Sequence, residues 1–242
     1  MKASVWSLEW RLALRRRRLF VLNLAIPLLL VAPIALSQAP TFHAAAAYAV
    51  LFVIFGIFGS AIPLLREGEG GLLRRILLSG CPEARLLLEK LGAASALDCL
   101  QLLPALALIL ITGGATPAVW ALAIAILVPT LLAANFLGAW VAATARSLAE
   151  GALFAAVVAL FLLHGSGVFR TPVEGELSGQ VERLLPFGPL HRVLLAGAEG
   201  SEPMRDVTGE LLQPVAAASA LILITWLAAP YLMARIAPAV RR

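Results

Sequence analysis

Six apolar runs, each close to the length needed to cross a lipid bilayer, limit most strongly what this chain can fold into. A hydrocarbon core about 30 Å thick requires about 20 mostly apolar residues in a helix. The six runs cover residues 19–36, 44–65, 91–111, 119–143, 149–168 and 214–233. They predict an all-α membrane protein with six transmembrane helices, organised as a single transmembrane domain over residues 1–242.

The composition excludes a soluble globular protein. Of the 242 residues, 61% are hydrophobic and 14% are charged, whereas soluble domains are about 45–50% apolar and about 25% charged. The surplus apolar surface therefore requires lipid. The net charge of +5 comes from basic residues clustered between the apolar runs, where they set membrane orientation. We therefore do not expect a nucleic-acid partner.

The basic residues lie mostly on one side of the predicted membrane. Fifteen of the 19 precede the first run, follow the sixth, or lie between the second and third or the fourth and fifth runs. The other side holds four arginines against seven acidic residues between Glu174 and Glu210. The positive-inside rule then places both termini in the cytoplasm.

A cleaved signal peptide is the alternative interpretation of the N-terminal region. Basic residues, an apolar stretch and a Ser-Gln-Ala site at residues 37–39 imitate one. The apolar stretch covers 19–36, however, and is longer than the 7–15 residues of a signal-peptide core. Cleavage would leave five spans, so six uncleaved spans are the favoured interpretation.

Residues 1–18 predict an amphipathic helix that lies in the cytoplasmic membrane interface. Trp6, Trp10 and Ala13 recur at helical spacing, and Arg11, Arg15 and Arg18 point towards another face. Tryptophan favours the depth of the lipid headgroups. The simpler interpretation is a basic flank that fixes topology, and the two are compatible.

The cytoplasmic loop over residues 66–90 is too long for a passive turn and predicts a short amphipathic helix. Glu67 and Glu69 precede the helical segment, where acidic residues favour the dipole of a helix N-terminus. Leucine and isoleucine residues then form one apolar stripe, which comprises Leu72, Leu73, Ile76 and Leu77. Such a helix can pack on the membrane surface or in the groove of a partner.

The external segment over residues 170–213 contains two apolar stretches that are too short to span a bilayer. They lie at 182–187 and at 190–196. We expect short helices that enter the outer leaflet or cap the bundle. A disordered loop is the alternative, but the leucine content disfavours it.

No residue pattern in the sequence predicts catalysis or metal binding. A nucleotide-binding P-loop needs Lys before Ser or Thr, but Lys2 precedes Ala and Lys90 precedes Leu. The two cysteines and three histidines form no spaced ligand set. We therefore expect no catalytic residues, no metal and no cofactor in this chain.

A few polar residues lie inside the apolar runs. Asp98 and Asn135 fall at similar depths, so they can form a hydrogen bond if the third and fourth spans are neighbours. One interpretation is a substrate path, and the favoured one is a set of contacts that hold helices together. The candidates are Asn23, Asp98, Gln101, Asn135 and His164.

Two stretches resemble a known family. The run REGEGGLLRRILLSGCP over 66–82, followed by LLLEKL over 86–91, resembles the loop between spans two and three of type-2 ABC exporter permeases. Gly71, Arg74 and Cys81 depart from the family's usual pattern there. The external LPFGPL over 185–190 resembles the Pro-rich turn between the family's last two spans.

The resemblance implies a six-span permease of a bacterial cytoplasmic (inner) membrane. It implies a homodimer, or a heterodimer with a similar permease, that docks on a dimer of separately encoded ATPase subunits, which would bind ATP and Mg²⁺. Substrate would pass between the protomers near spans one, two and five. The coupling residues would be Glu67, Glu69, Leu72, Leu73, Arg74, Arg75, Ile76 and Leu77.

The expected function is therefore ATP-driven export of a hydrophobic or amphipathic substrate, since the spans are rich in Leu, Ala and Val. One alternative is the membrane subunit of a cytochrome c haem exporter, which would be expected to have a shorter last external loop. Another is a stand-alone secondary transporter or membrane scaffold. Secondary carriers often show internal repeats and midplane charges, and this sequence shows no clear repeat.

Overall fold

A computed structural model describes residues 4–37, 40–169, 182, 185–199 and 207–237. These residues form helices and no strand. In chain order the helices are α1 (Val5–Arg15), α2 (Arg17–Ala35), α3 (Thr41–Glu69), α4 (Leu72–Leu78), α5 (Glu83–Thr112), α6 (Pro117–Thr144), α7 (Leu148–Gly165), α8 (Phe187–Glu199), α9 (Val207–Leu227) and α10 (Ala229–Ile236).

Six of these helices are long and apolar enough to cross a membrane, as the sequence predicts. They are α2, α3, α5, α6, α7 and α9. Helices α3 and α5 are longer than their apolar runs, with 29 and 30 residues. Because a helix rises 1.5 Å per residue, both extend well beyond a hydrocarbon core about 30 Å thick.

The predicted N-terminal helix over 1–18 is divided. Helix α1 ends at Arg15, and Arg16 adopts a non-helical backbone conformation before α2 begins at Arg17. Arg17 and Arg18 therefore belong to the first spanning helix. A run of four like charges disfavours one continuous helix at this point.

The sixth apolar run is also divided, so the prediction of one span over 214–233 is wrong at its C-terminal end. Helix α9 begins at Val207 and ends at Leu227, and α10 starts after Ala228. Pro230 stands in the first turn of α10, where its missing N–H and its ring interrupt the preceding helix.

The crossing of α3 and α6 lies at the centre of the bundle. An added Cβ at Gly56 would lie 2.4 Å from the Cβ of Ala134, and one at Gly138 would lie 2.0 Å from the Oγ of Ser60. Small residues on both helices allow this approach, as is common between membrane helices. The close crossing fixes the second span against the fourth.

Helix α8 closes the end of the bundle opposite α4. Most of its side chains are buried, among them Phe187, Leu190, Val193 and Leu194. The predicted apolar stretch at 190–196 therefore lies in a helix that packs on the bundle. Within the stretch at 182–187, residues 183–184 lie outside the described residues, as do 170–181 and 200–206 of the same predicted loop.

Candidate functional site

Helix α4 has two distinct faces. Leu73 is completely buried, whereas Arg74 and Arg75 are exposed and Leu78 is 72% exposed. Ile76 and Leu77 are half-buried against the bundle. The helix thus anchors one apolar face and presents two cations at the end of the bundle where α3 leads into α5. We name this end the α4 end.

Glu67 and Glu69 precede α4, as the sequence predicts, but they belong to the preceding helix. Both lie in the last turn of α3, and the first turn of α4 contains no acidic residue. Gly71, with φ at +71°, separates the two helices, in a left-handed conformation that suits glycine. The two carboxylates therefore do not support the dipole of α4.

Lys90 joins three helices at the α4 end. Its Nζ lies 2.5 Å from Oε1 of Glu9 on α1 and 2.7 Å from Oε2 of Glu67 on α3. The lysine side chain is only 6% exposed. Because a buried ammonium needs partners of opposite charge, this cluster fixes α1 and the end of α3 to the start of α5.

A second contact fastens α1 to α5. The Oγ of Ser4, at the N-cap of α1, donates to Oε2 of Glu89 at 2.8 Å. Arg85 lies one turn before Glu89 and pairs with its other oxygen at 2.6 Å. Together with the Lys90 cluster, this contact holds α1 along the first turns of α5.

A small polar cluster lies inside the bundle. The Nδ2 of Asn135 on α6 donates to Oδ2 of Asp98 on α5 at 2.9 Å. The Oγ of Ser60 on α3 donates to the backbone oxygen of Asn135 at 2.8 Å. Gln101 is buried one turn beyond Asp98, and its Oε1 accepts no hydrogen bond from a described residue. Three spanning helices meet at this cluster.

The other two polar candidates are more exposed than this cluster and are not bonded to it among the described residues. Asn23 is half-buried on α2, and His164 is exposed in the last turn of α7. No hydrogen bond joins either of them to Asp98 or Asn135 among the described residues. The structure brings together Asp98 and Asn135, with Gln101 one turn away on the same helix.

A further ion cluster fastens α8 to α9 at the opposite end. The guanidinium of Arg192 binds both oxygens of Glu210 at 2.9 Å and also pairs with Glu182. The neighbouring His191 is buried, and its ring meets Phe42 edge to face. Burial, with the positive charge of Arg192, lowers the pKa of His191 to about 4.

A cavity of about 750 Å³ opens at the α4 end. Residues of α3, α4, α6 and α10, and of the connection between α6 and α7, line it. Three of these residues are arginines, Arg74, Arg146 and Arg235, whereas Glu69 is the only acid among the lining residues. This basic cavity lies beside the exposed face of α4.

The Lys90 contacts, the Arg192 cluster and the basic cavity were not predicted from the sequence. Each depends on residues distant in sequence, such as Glu9 and Lys90 or Arg74 and Arg235, that only the packing of helices brings together. One signal was available for Lys90. It is one of only two lysines in a chain with 17 arginines, and it lies at the edge of an apolar run.

These helices define a multi-pass helical membrane protein. The family model for the ABC-2 type transporter matches residues 3–175, which is most of the chain, and the chain belongs to that family. It is therefore a membrane permease subunit of an ABC transporter, a transport component and not a catalytic enzyme by itself. This replaces the alternative of a stand-alone secondary transporter or scaffold. Comparison with curated protein sequences gives no match.

Proposed function

We propose that the permease exports a hydrophobic or amphipathic substrate and that α4 is its coupling helix, inserted into a groove of a separate ATPase subunit. The observation that carries this proposal is the two-faced surface of α4. Its apolar face is anchored through Leu73, and it presents Arg74 and Arg75 outward. A partner can push on such a helix without extracting it from the bundle.

The Lys90 cluster supplies the connection that coupling requires. A force on α4 reaches the end of α3 through Gly70 and Gly71, and Glu67 on that end is paired with Lys90 of α5. Glu9 on α1 also pairs with Lys90, so the cluster includes the N-terminal helix. Displacement of α4 would thus move the second span, the third span and the N-terminal helix together, which favours one of two bundle arrangements.

The proposed orientation places the α4 end, α1 and both termini in the cytoplasm of a bacterial cell, with α8 outside. It is supported by the excess of basic residues at the α4 end. In this orientation α1 lies in the membrane interface, where its exposed Trp6 suits headgroup depth. The ATPase dimer would bind ATP and Mg²⁺.

The permease is proposed to act as a homodimer or a heterodimer with a similar chain. Large apolar side chains are exposed along α2 and α7, the first and fifth spans, for example Leu22, Leu29 and Phe161. These faces suit lipid, an apolar substrate and a second protomer. The membrane subunit of a haem exporter would be a narrower case of the same class, and no contact among the described residues favours it.

The buried Asp98 and Asn135 are proposed to hold α5 against α6 and not to line the substrate path. Both side chains are almost completely buried and face each other. A hydrogen bond between membrane helices has a modest stabilising effect, about 0.6 kcal/mol on average. The pair therefore fixes the alignment of α5 against α6 more than it strengthens their association.

The coupling proposal is tested by charge reversal on α4. The double variant Arg74→Glu/Arg75→Glu, coexpressed with a separately encoded ABC ATPase subunit, is expected to lose transport and permease-dependent stimulation of ATP hydrolysis by more than about tenfold. Its thermal unfolding in detergent should stay unchanged, because both arginines are exposed. The matched control is Arg11→Glu/Arg15→Glu on α1, which also reverses two exposed charges. Normal transport in the α4 variant would reject the coupling role.

A further inference from the structure

The basic cavity at the α4 end collects positive charge from three separate elements. Arg74 lies on α4, Arg146 follows α6 and Arg235 lies on α10. With Glu69 as the only acid in its lining, the cavity has an excess of two positive charges. We propose that this cavity binds the phosphate-bearing headgroup of an anionic membrane lipid.

The three guanidinium groups are available for a ligand. Among the described residues, Lys90 and Arg192 are engaged by carboxylates, but none of the three cavity arginines forms an ion pair. The guanidinium of Arg235 lies 5.6 Å from the ring centre of Tyr231, which limits its freedom. Arginine presents paired N–H groups that match phosphate oxygens.

The rest of the lining favours a lipid over a soluble anion. Leu65 and Ile236, both buried, form an apolar part of the wall. Tyr231 is 53% exposed, and Trp226 and Leu227 at the end of α9 are exposed as well. Trp and Tyr concentrate at the level of lipid headgroups. A ligand with a phosphate and acyl chains uses both surfaces, whereas free phosphate uses only the arginines.

A lipid at this site would contact Arg74, beside the exposed face of α4, and would also contact α10. This binding requires neither the ATPase nor transport. The test therefore uses the full-length permease alone, and its failure would leave the proposed coupling function untouched.

The test measures lipid retention by native mass spectrometry in detergent, with phosphatidylglycerol and phosphatidylcholine of matched acyl chains. The wild type is expected to retain one phosphatidylglycerol per chain in preference to phosphatidylcholine. In Arg146→Ala/Arg235→Ala its affinity should fall roughly 20- to 30-fold, because each arginine near an anionic surface contributes about fivefold. Arg74 stays intact so that coupling residues are not involved. If the double variant does not fold, the single variants Arg146→Ala and Arg235→Ala are measured instead, and each should lower the affinity for phosphatidylglycerol about fivefold.

The matched control is Arg11→Ala/Arg15→Ala, which removes two exposed arginines outside the cavity. It should keep the bound phosphatidylglycerol. If the control and the cavity variant lost equal affinity for phosphatidylglycerol, the lipid would be held by the overall positive charge of the protein. That result would overturn the proposed site. Unchanged affinity in the cavity variant would also overturn it. Displacement of the lipid by millimolar inorganic phosphate would identify a soluble-anion site instead, against the proposal.

Discussion

At the scale of single residues, Lys90 has the most demanding environment at the α4 end. Its ammonium is almost fully removed from water and lies between two carboxylates, each about 20% exposed. A desolvated ion is tolerated only while its partners remain. The exposed pair of Arg85 and Glu89, one turn away, is an ordinary surface ion pair by comparison.

Replacing Lys90 with Met should therefore destabilise the permease by about 3–5 kcal/mol, because Glu9 and Glu67 would be left facing each other without a cation. The measurement is the apparent melting temperature in detergent. Arg85→Met is the matched control, since it breaks a pair whose arginine side chain is 57% exposed, and it should cost about 0–1 kcal/mol.

The combination Lys90→Met/Glu9→Gln/Glu67→Gln separates repulsion from lost packing. It removes both negative charges together with the positive one and should recover most of the stability of the wild type. A Lys90→Met variant as stable as Arg85→Met would show that the three helices do not depend on this cluster.

At the scale of helices, hydrophobic length and charge distribution were enough to predict the six spans and the existence of α4. The apolar run predicts a spanning helix because unpaired backbone groups are so unfavourable in lipid. The local errors all occur where a short-range feature competes with that run. Arg16 interrupts the N-terminal helix, Pro230 divides the last run, and Gly71 leaves Glu67 and Glu69 on α3.

The contacts between helices could not be predicted from the same pattern. A hydrophobic run does not specify which face meets which neighbour, because lipid and protein are equally apolar surroundings. The positions of glycine and serine indicate which faces of two helices can come into contact. Gly56 and Ser60 on α3 meet Ala134 and Gly138 on α6, and these contacts were not predicted from the sequence.

Enlarging Gly56 tests that crossing. In Gly56→Leu the added Cβ alone would lie 2.4 Å from the Cβ of Ala134, so α3 and α6 must separate. We expect a loss of stability of about 1–3 kcal/mol or more, measured as the melting temperature in detergent. Ala125→Leu is the control, since Ala125 is an exposed residue of α6 and should change stability little. Equal melting temperatures for the two variants would contradict the close crossing.

At the scale of the whole molecule, the two ends of the bundle differ in their chemistry. The α4 end carries cations with an open basic cavity, whereas α8 covers the other end with a buried apolar face and the Arg192 cluster. The α4 end is thus suited to a partner and the other end to closure. This asymmetry suits a permease driven from one side of the membrane.

The closed end should make the stability of the molecule dependent on pH. His191 has a pKa of about 4 in the folded protein, below the value of about 6.5 of an unfolded chain. Folding therefore favours the neutral ring. The stabilisation is complete above pH 6.5 and is lost as the pH falls towards 4, because only the unfolded state gains the proton over that interval.

The variant His191→Gln should remove this part of the pH dependence. The carboxylates of Glu182 and Glu210 pair with the neighbouring Arg192, and the ring of His43 also contacts Phe42, so the difference between wild type and variant is the informative quantity. Between pH 7.5 and 4.5, the melting temperature of the wild type in detergent should fall by more than that of the variant. His164→Gln, at an exposed site, should follow the wild type throughout. Parallel curves for wild type and His191→Gln would mean that α8 does not bury a neutral histidine, and the closure of this end would then depend on the Arg192 cluster and apolar contacts alone.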